Sequence, residues 1–115
     1  DCNIDSMVSA LMNLGSIYEK CKEYNEAYEA YHEAVLLQQQ HMKAEWFTYR
    51  RVYFALNDCG RMKMQLGFFK DAVGLFQDAV EYISEMFGYG MAGDEDDKNN
   101  LIMIKKTIKQ LKKRI

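Results

Sequence analysis

Apolar and small residues fall at helical spacing through most of the chain. In residues 11–35, "LMNLGSIYEKCKEYNEAYEAYHEAV", they recur at Leu11, Leu14, Gly15 and Tyr18, and again at Ala27, Tyr31 and Ala34. Steps of three and four place each set on one face of an α-helix. Nearly the same wording returns 45 residues later as "LNDCGRMKMQLGFFKDAVGLFQDAV". At that shift Leu11 meets Leu56, Leu14 meets Cys59, Gly15 meets Gly60 and Tyr24 meets Phe69. Ala27 then meets Ala72, Tyr31 meets Phe76, Ala34 meets Ala79 and Val35 meets Val80. Small and aromatic residues repeat, and charges do not. A small residue admits a second helix closely, and an aromatic one fills the adjoining gap. Each unit therefore reads as two antiparallel helices.

Boundaries follow from local chemistry. The first helix of each pair is expected to end near 20–22 and 65–67, where Gly67 can take the left-handed cap conformation. Asn25 is expected to cap the second helix of copy one, and Lys70 and Asp71 mark that start in copy two. Between the copies, "QQQHMKAEWFTYRRVYF" has no Gly or Pro and reads as helix. A turn is placed at 40–43; the alternative is one unbroken helix over 25–65, which would invite domain swapping. "FGYGMAGDEDDKNN" reads as a loop, and Leu101, Ile104, Ile108, Leu111 and Ile115 then form one stripe on a last helix. The expected layout is a single domain over 1–115: a first repeat at 7–42, a second at 43–86, a loop at 87–97 and a final helix at 98–115. The chain reads as a fragment of a longer protein.

The repeated wording resembles the tetratricopeptide repeat. That family's pattern is carried by Leu11, Leu14, Gly15, Tyr18, Ala27, Tyr31 and Ala34, and again by Leu56, Gly60, Phe69, Ala72, Phe76 and Ala79. Cys59 and Lys63 stand for the Leu and Tyr in the second copy, and Gln39 stands where the family has Pro. The period is 45 rather than about 34. Eleven extra residues make about three helical turns, which lengthen helices without rotating their faces. The wording of residues 10–15 is similar to the long repeats of kinesin light chains and spindle-orientation adaptors. The resemblance implies an all-α, right-handed superhelix of two elongated helix hairpins with a C-terminal capping helix. It also implies a non-enzymatic adaptor or scaffold that binds a peptide or partner helix on its concave face, with a cytoplasmic, cytoskeleton-associated setting.

Carried over position by position, the resemblance makes Ser9, Asn13, Ser16, Phe54, Asn57, Asp58 and Arg61 partner-binding residues, with Arg50 interleaved among nearby aromatics. An Asn amide offers both a donor and an acceptor to a peptide unit. Met12 and Ser16 stand where relatives that grip a terminal carboxylate use Lys and Asn, so no carboxylate clamp is expected.

Composition narrows the classes. The formal net charge of −2 argues against a general nucleic-acid binder. No run of 18 apolar residues could span a bilayer. Cys2, Cys21 and Cys59 have no CxxC spacing, which fits idle thiols in a reducing compartment better than a disulfide frame or a zinc site. His32 and His41 lack metal-ligand spacing, and His32 is expected to face solvent. No phosphate-binding or nucleophile motif occurs; Gly88, Gly90 and Gly93 follow no strand and read as a connector. No cofactor and no enzyme activity are expected.

Two segments stay open to a second reading. Trp46, Phe47, Tyr49, Tyr53 and Phe54, with Arg50 and Arg51, are expected to pack between the long helices, with part left for a partner; a nucleic-acid stacking surface is the alternative. Lys105, Lys109, Lys112, Lys113 and Arg114 form a basic tail that suits a terminal cap over the last apolar face. An acidic partner or an anionic membrane surface is its alternative role. Because two repeats are fewer than the usual three, self-association into a homo-oligomer is the structural alternative to peptide binding.

Overall fold

The computed structural model of the protein describes residues 3–43, 45–88 and 94–115. These residues are helical, without strands. In order they form α1 (Ile4–Lys20), α2 (Tyr24–Gln40), α3 (Trp46–Gln65), α4 (Phe69–Gly88) and α5 (Glu95–Lys112). Each helix packs chiefly on its neighbour in sequence, α1 on α2, α2 on α3, α3 on α4 and α4 on α5. The break after Gln40 replaces the single helix over 25–65 with two.

The repeat in sequence is a repeat in contacts. A methyl group on Gly15 would sit 2.6 Å from Cε1 of Tyr31, and one on Gly60 would sit 2.6 Å from Cε1 of Phe76. In each hairpin the aromatic ring of the second helix lies on the bare backbone of the first. Both hairpins also turn alike. Glu23 N–H donates to the Tyr18 carbonyl over 2.9 Å and Lys22 N–H to that of Glu19 over 2.9 Å. Phe68 N–H donates to the Lys63 carbonyl over 2.9 Å and Gly67 N–H to that of Met64 over 3.0 Å. This paired closure needs a left-handed residue. Gly67 supplies it in copy two at φ 83°, and Lys22, at the same repeat position, supplies it in copy one at φ 61°.

α3 is the centre of the core. Lying between α2 and α4, it buries Val52, Ala55, Leu56, Cys59 and Met62 almost completely. Fully burying a side chain of this size contributes about 1.5–3 kcal/mol. α1 has a neighbour on one side only, so Leu14 and Ile17 stay 42% and 58% exposed where their repeat mates Cys59 and Met62 are at 0%. Burial also pushes the Cys59 thiol up to about 12, which makes it unreactive, while Cys21 is exposed.

Several local expectations change. α2 begins at Tyr24 with Glu23 as its cap residue, so Asn25 lies inside the first turn and caps nothing. His32 is half-buried and stacks on Tyr28 with ring centroids 5.3 Å apart, rather than facing solvent. The aromatic run divides: Tyr49 and Tyr53 are buried, whereas Trp46, Phe47 and Phe54 are exposed. Leu101, Ile104, Ile108 and Leu111 turn inward, but Ile115 is exposed beyond the last turn.

The largest local change is at the acidic run. α5 starts at Glu95, inside the segment expected as a loop, because Asp94 caps it. The Asp94 carboxylate accepts from Asp97 N–H and the Asp97 carboxylate accepts from Asp94 N–H, both over 3.1 Å. Acids in the first turn and lysines in the last then complement the helix dipole. Gly88 ends α4, while Gly90 and Gly93 lie outside the described residues.

Candidate functional site

α3 and α5 flank a groove of about 250 Å³, floored by Phe76 of α4. α3 contributes Tyr53, Phe54, Asn57, Arg61 and Met64, and α5 contributes Asn100, Met103, Ile104 and Thr107. Helical spacing places the α3 set on one face, since residues 53, 57, 61 and 64 rise in steps of four and three. Phe54 and Met103 stay 43% and 65% exposed. Asn57 makes no hydrogen bond among the described residues, so both halves of its amide are available. Asn100 donates to the Tyr53 hydroxyl over 3.1 Å and keeps its carbonyl oxygen as an acceptor. The groove therefore offers an apolar slot with amide groups beside it, suited to an apolar side chain on a peptide backbone.

Arg61 lines this groove, but its guanidinium is held within the molecule. It donates to Glu19 of α1 over 2.6 and 3.1 Å and to Asp58 over 2.7 Å. The Tyr31 hydroxyl donates to the same Glu19 carboxylate over 2.9 Å. Hydrogen bonding from Arg61 holds the Glu19 carboxyl below its usual range despite some burial. Burial dominates at Asp58 and raises its carboxyl, with Arg61 opposing. Arg61, expected to contact a partner, ties α3 to α1, and Asp58, also expected there, pairs with it within α3.

Arg50 is likewise committed. Its Nε donates to Asp97 over 3.0 Å, a second nitrogen pairs with the other Asp97 oxygen, and Asp94 lies 3.4 Å away. The Tyr53 hydroxyl also donates to Asp97. Asp97 is 1% exposed, and its burial opposes ionisation. The hydrogen bonds from Arg50 and Tyr53 outweigh that and keep its carboxyl below the usual range. The Arg50 guanidinium also sits 4.4 Å over the Trp46 ring. Arg50 thus anchors α5 to α3.

Residues 8–41 match the tetratricopeptide repeat. The matched segment runs through α1 and α2. No curated protein matches the chain significantly. In that family the repeats generally mediate protein–protein interaction and are non-catalytic. Among the described residues, no three His, Cys, Asp or Glu side chains converge as a metal site. None of the described helices is long and apolar enough to cross a membrane.

The other expected residues lie apart from the groove. Ser9 and Asn13 are exposed on α1 and Ser16 is half-buried there. Lys105, Lys109, Lys112, Lys113 and Arg114 are exposed along α5 and its end, with Arg114 5.5 Å over the Phe69 ring. A larger hollow of about 570 Å³ opens where α1 and α3 begin, lined by Asp5, Gln38, Phe47 and Arg51 among others. None of the expected binding residues reaches it, and its Asp5–Arg51 pair is already closed at 2.7 Å. Asn100, Met103 and Thr107 are groove residues that sequence reasoning missed. Only the helical continuation of α5 through residue 100 could have pointed to them.

Proposed function

We propose that the chain is a non-catalytic protein-interaction module of an adaptor or scaffold, and that the α3–α5 groove holds a peptide or partner helix. The observation that carries this is the convergence of Phe54 and Asn57 of α3 with Asn100 and Met103 of α5 around one apolar slot. In this reading the hairpins form a right-handed superhelix, α5 closes its last apolar face, and the groove lies on the concave side. An extended peptide inserts an apolar side chain between Phe54 and Met103 while Asn57 holds its backbone. Ser9 and Asn13 extend the contact along α1.

Selection from a random peptide library displayed on phage tests this. Selected peptides should carry a large apolar residue. Binding should fall at least about tenfold in Asn57→Ala and in Met103→Glu with the melting temperature unchanged, as expected at an interface centre. Peptides that bind both variants as well as the original chain would overturn the groove assignment.

A second reading rests on the outer face of α5. Ile102 and Met103 are 64% and 65% exposed, and Lys105, Lys106 and Lys109 are exposed on the same helix. Apolar residues rimmed by lysines suit an acidic partner or an anionic membrane surface. Co-sedimentation with phosphatidylserine vesicles should then weaken with salt and disappear when Lys112, Lys113 and Arg114 become Ala. Retention of all three variants on vesicles would exclude this reading.

A further inference from the structure

The hollow where α1 and α3 begin contains a polar group that the fold leaves unsatisfied. Gln38, on the last turn of α2, lines it and is only 6% exposed. Its amide oxygen has no hydrogen-bond partner among the described residues. A buried acceptor without a donor is costly, and native folds nearly always supply one. Packing does not explain the amide. At the matching position of the second repeat, 45 residues on, stands Ile83, which is fully buried. An aliphatic side chain therefore serves the helix hairpin at this position.

Charge in the hollow is positive in excess. Lys43 and Arg51 line it against one carboxylate, that of Asp5. Asp5 pairs with Arg51 over 2.7 Å, and the exposed Lys43 ammonium has no ion pair among the described residues. Phe47 and Thr48, in the first turn of α3, form another wall. That turn contains no acid, and the cap residue Glu45 gives it no side-chain hydrogen bond. Amide N–H groups at such a helix start favour an anion.

We infer that the hollow binds a short acidic segment of a partner peptide. A Glu or Asp carboxylate of that segment lies between the Lys43 ammonium and the first turn of α3. A backbone N–H beside it donates to the Gln38 oxygen. Sulfate would meet the first need and not the second, because it carries no donor. A peptide meets both, since every residue but proline brings an N–H. The volume of about 570 Å³ falls within the roughly 300–1,000 Å³ of ligand sites. No residue of the α3–α5 groove lines this hollow, so the site stands whether or not that groove binds a peptide.

Nuclear magnetic resonance of the ¹⁵N-labelled 115-residue chain tests this with the blocked tetrapeptide Gly-Glu-Glu-Gly, added to about 10 mM to nearly saturate a millimolar complex. The side-chain amide signal of Gln38, assigned by its loss in Gln38→Leu, should shift and level off. The backbone signals of Phe47 and Thr48 should move with it. Blocked Gly-Gln-Gln-Gly should leave all three in place. Lys43→Glu, at an exposed position, should weaken binding at least about tenfold by reversing the charge. Gln38→Leu should weaken it as well, with a melting temperature that is unchanged or higher, since it removes an unpaired buried acceptor. Asn57→Ala, in the groove, should change nothing. Absence of saturable shifts with the glutamate peptide would overturn the inference, as would equal binding of the glutamine peptide. Undiminished binding in Gln38→Leu would mean that solvent satisfies the amide, and it would overturn the site. Equal shifts with sodium sulfate would reduce it to an adventitious ion only.

Discussion

The ring of Phe76 occupies the space that a side chain on Gly60 would need, with Cε1 2.6 Å from where a methyl carbon would lie. The ring is buried, so making room for a methyl group means shifting it against the core. Gly60→Ala is therefore expected to lose about 1–3 kcal/mol through overpacking, read as a lower urea midpoint. Gly74, midway along α4, is the control, because nothing lies within 4 Å of its would-be methyl. There the substitution removes only the helical disadvantage of glycine, so Gly74→Ala should gain about 0.5–1 kcal/mol. Equal effects at the two sites would refute the packing account.

Lys22 holds a conformation that Gly67 holds at the same place in the second hairpin. A side chain in the left-handed region costs about 1 kcal/mol. Lys22→Gly should raise stability by a few tenths to about 1 kcal/mol, even though Gly loses more entropy on folding. Thermal melts of the two proteins decide it, and a fall in melting temperature would mean that Lys22 makes a compensating contact.

Removing the Asp97 carboxylate strands partners on α3. Asp97→Ala leaves the Arg50 guanidinium and the Tyr53 hydroxyl without their acceptor and removes half of the α5 capping box. The loss should be about 2–3 kcal/mol, as for a charged hydrogen-bond partner taken from a largely buried site. Amide hydrogen exchange should speed most in α5, with α1 and α2 little changed. Uniform acceleration along the chain would contradict this placement.

Acid should act through the same carboxylates. The folded values of Glu19 and Asp97 lie below their unfolded ones, so the unfolded chain binds more protons across that interval. Their contribution is present above the unfolded range near about 4 and is lost as pH falls through the folded values. Asp58 has the opposite sign: its raised value weakens the fold above it and is relieved on protonation. Melting temperature should fall as pH drops below about 4. In Glu19→Gln, Asp97→Asn the acid branch should be flatter, and an unaltered branch would assign acid sensitivity to other groups.

Much of the architecture was legible because it rests on local pattern. Gly15 with Tyr31 and Gly60 with Phe76 announced both hairpins, while Phe54 and Asn57 were singled out only through the family resemblance. The misses share a cause. Asp97 looks no different from Asp96 in the sequence, and what buries it is Arg50, 47 residues away. The Asp94-to-Asp97 spacing is a readable capping signal, and the loop reading of the glycine-rich and acidic stretch passed over it. The ion pairs of Arg61 were hidden for a similar reason: Glu19, in another helix, takes its guanidinium, and no periodicity reports a cation's partner. His32 was placed toward solvent by its helical phase, which does not register the neighbouring ring of Tyr28.

Packing here runs from each helix to the next, as links in a line, and a line can open at either end. Several side-chain bonds skip a link, and two arginine clasps are the most buried of the ion pairs among them. Arg61 reaches back from α3 to Glu19 of α1, and Arg50 reaches forward from α3 to Asp97 of α5. Both begin on one helix, eleven residues apart, which is three turns and the length by which this repeat exceeds its usual size. A chain pulled from its two ends should hold until one clasp breaks and then yield in stages, with α3 the last helix to lose its place.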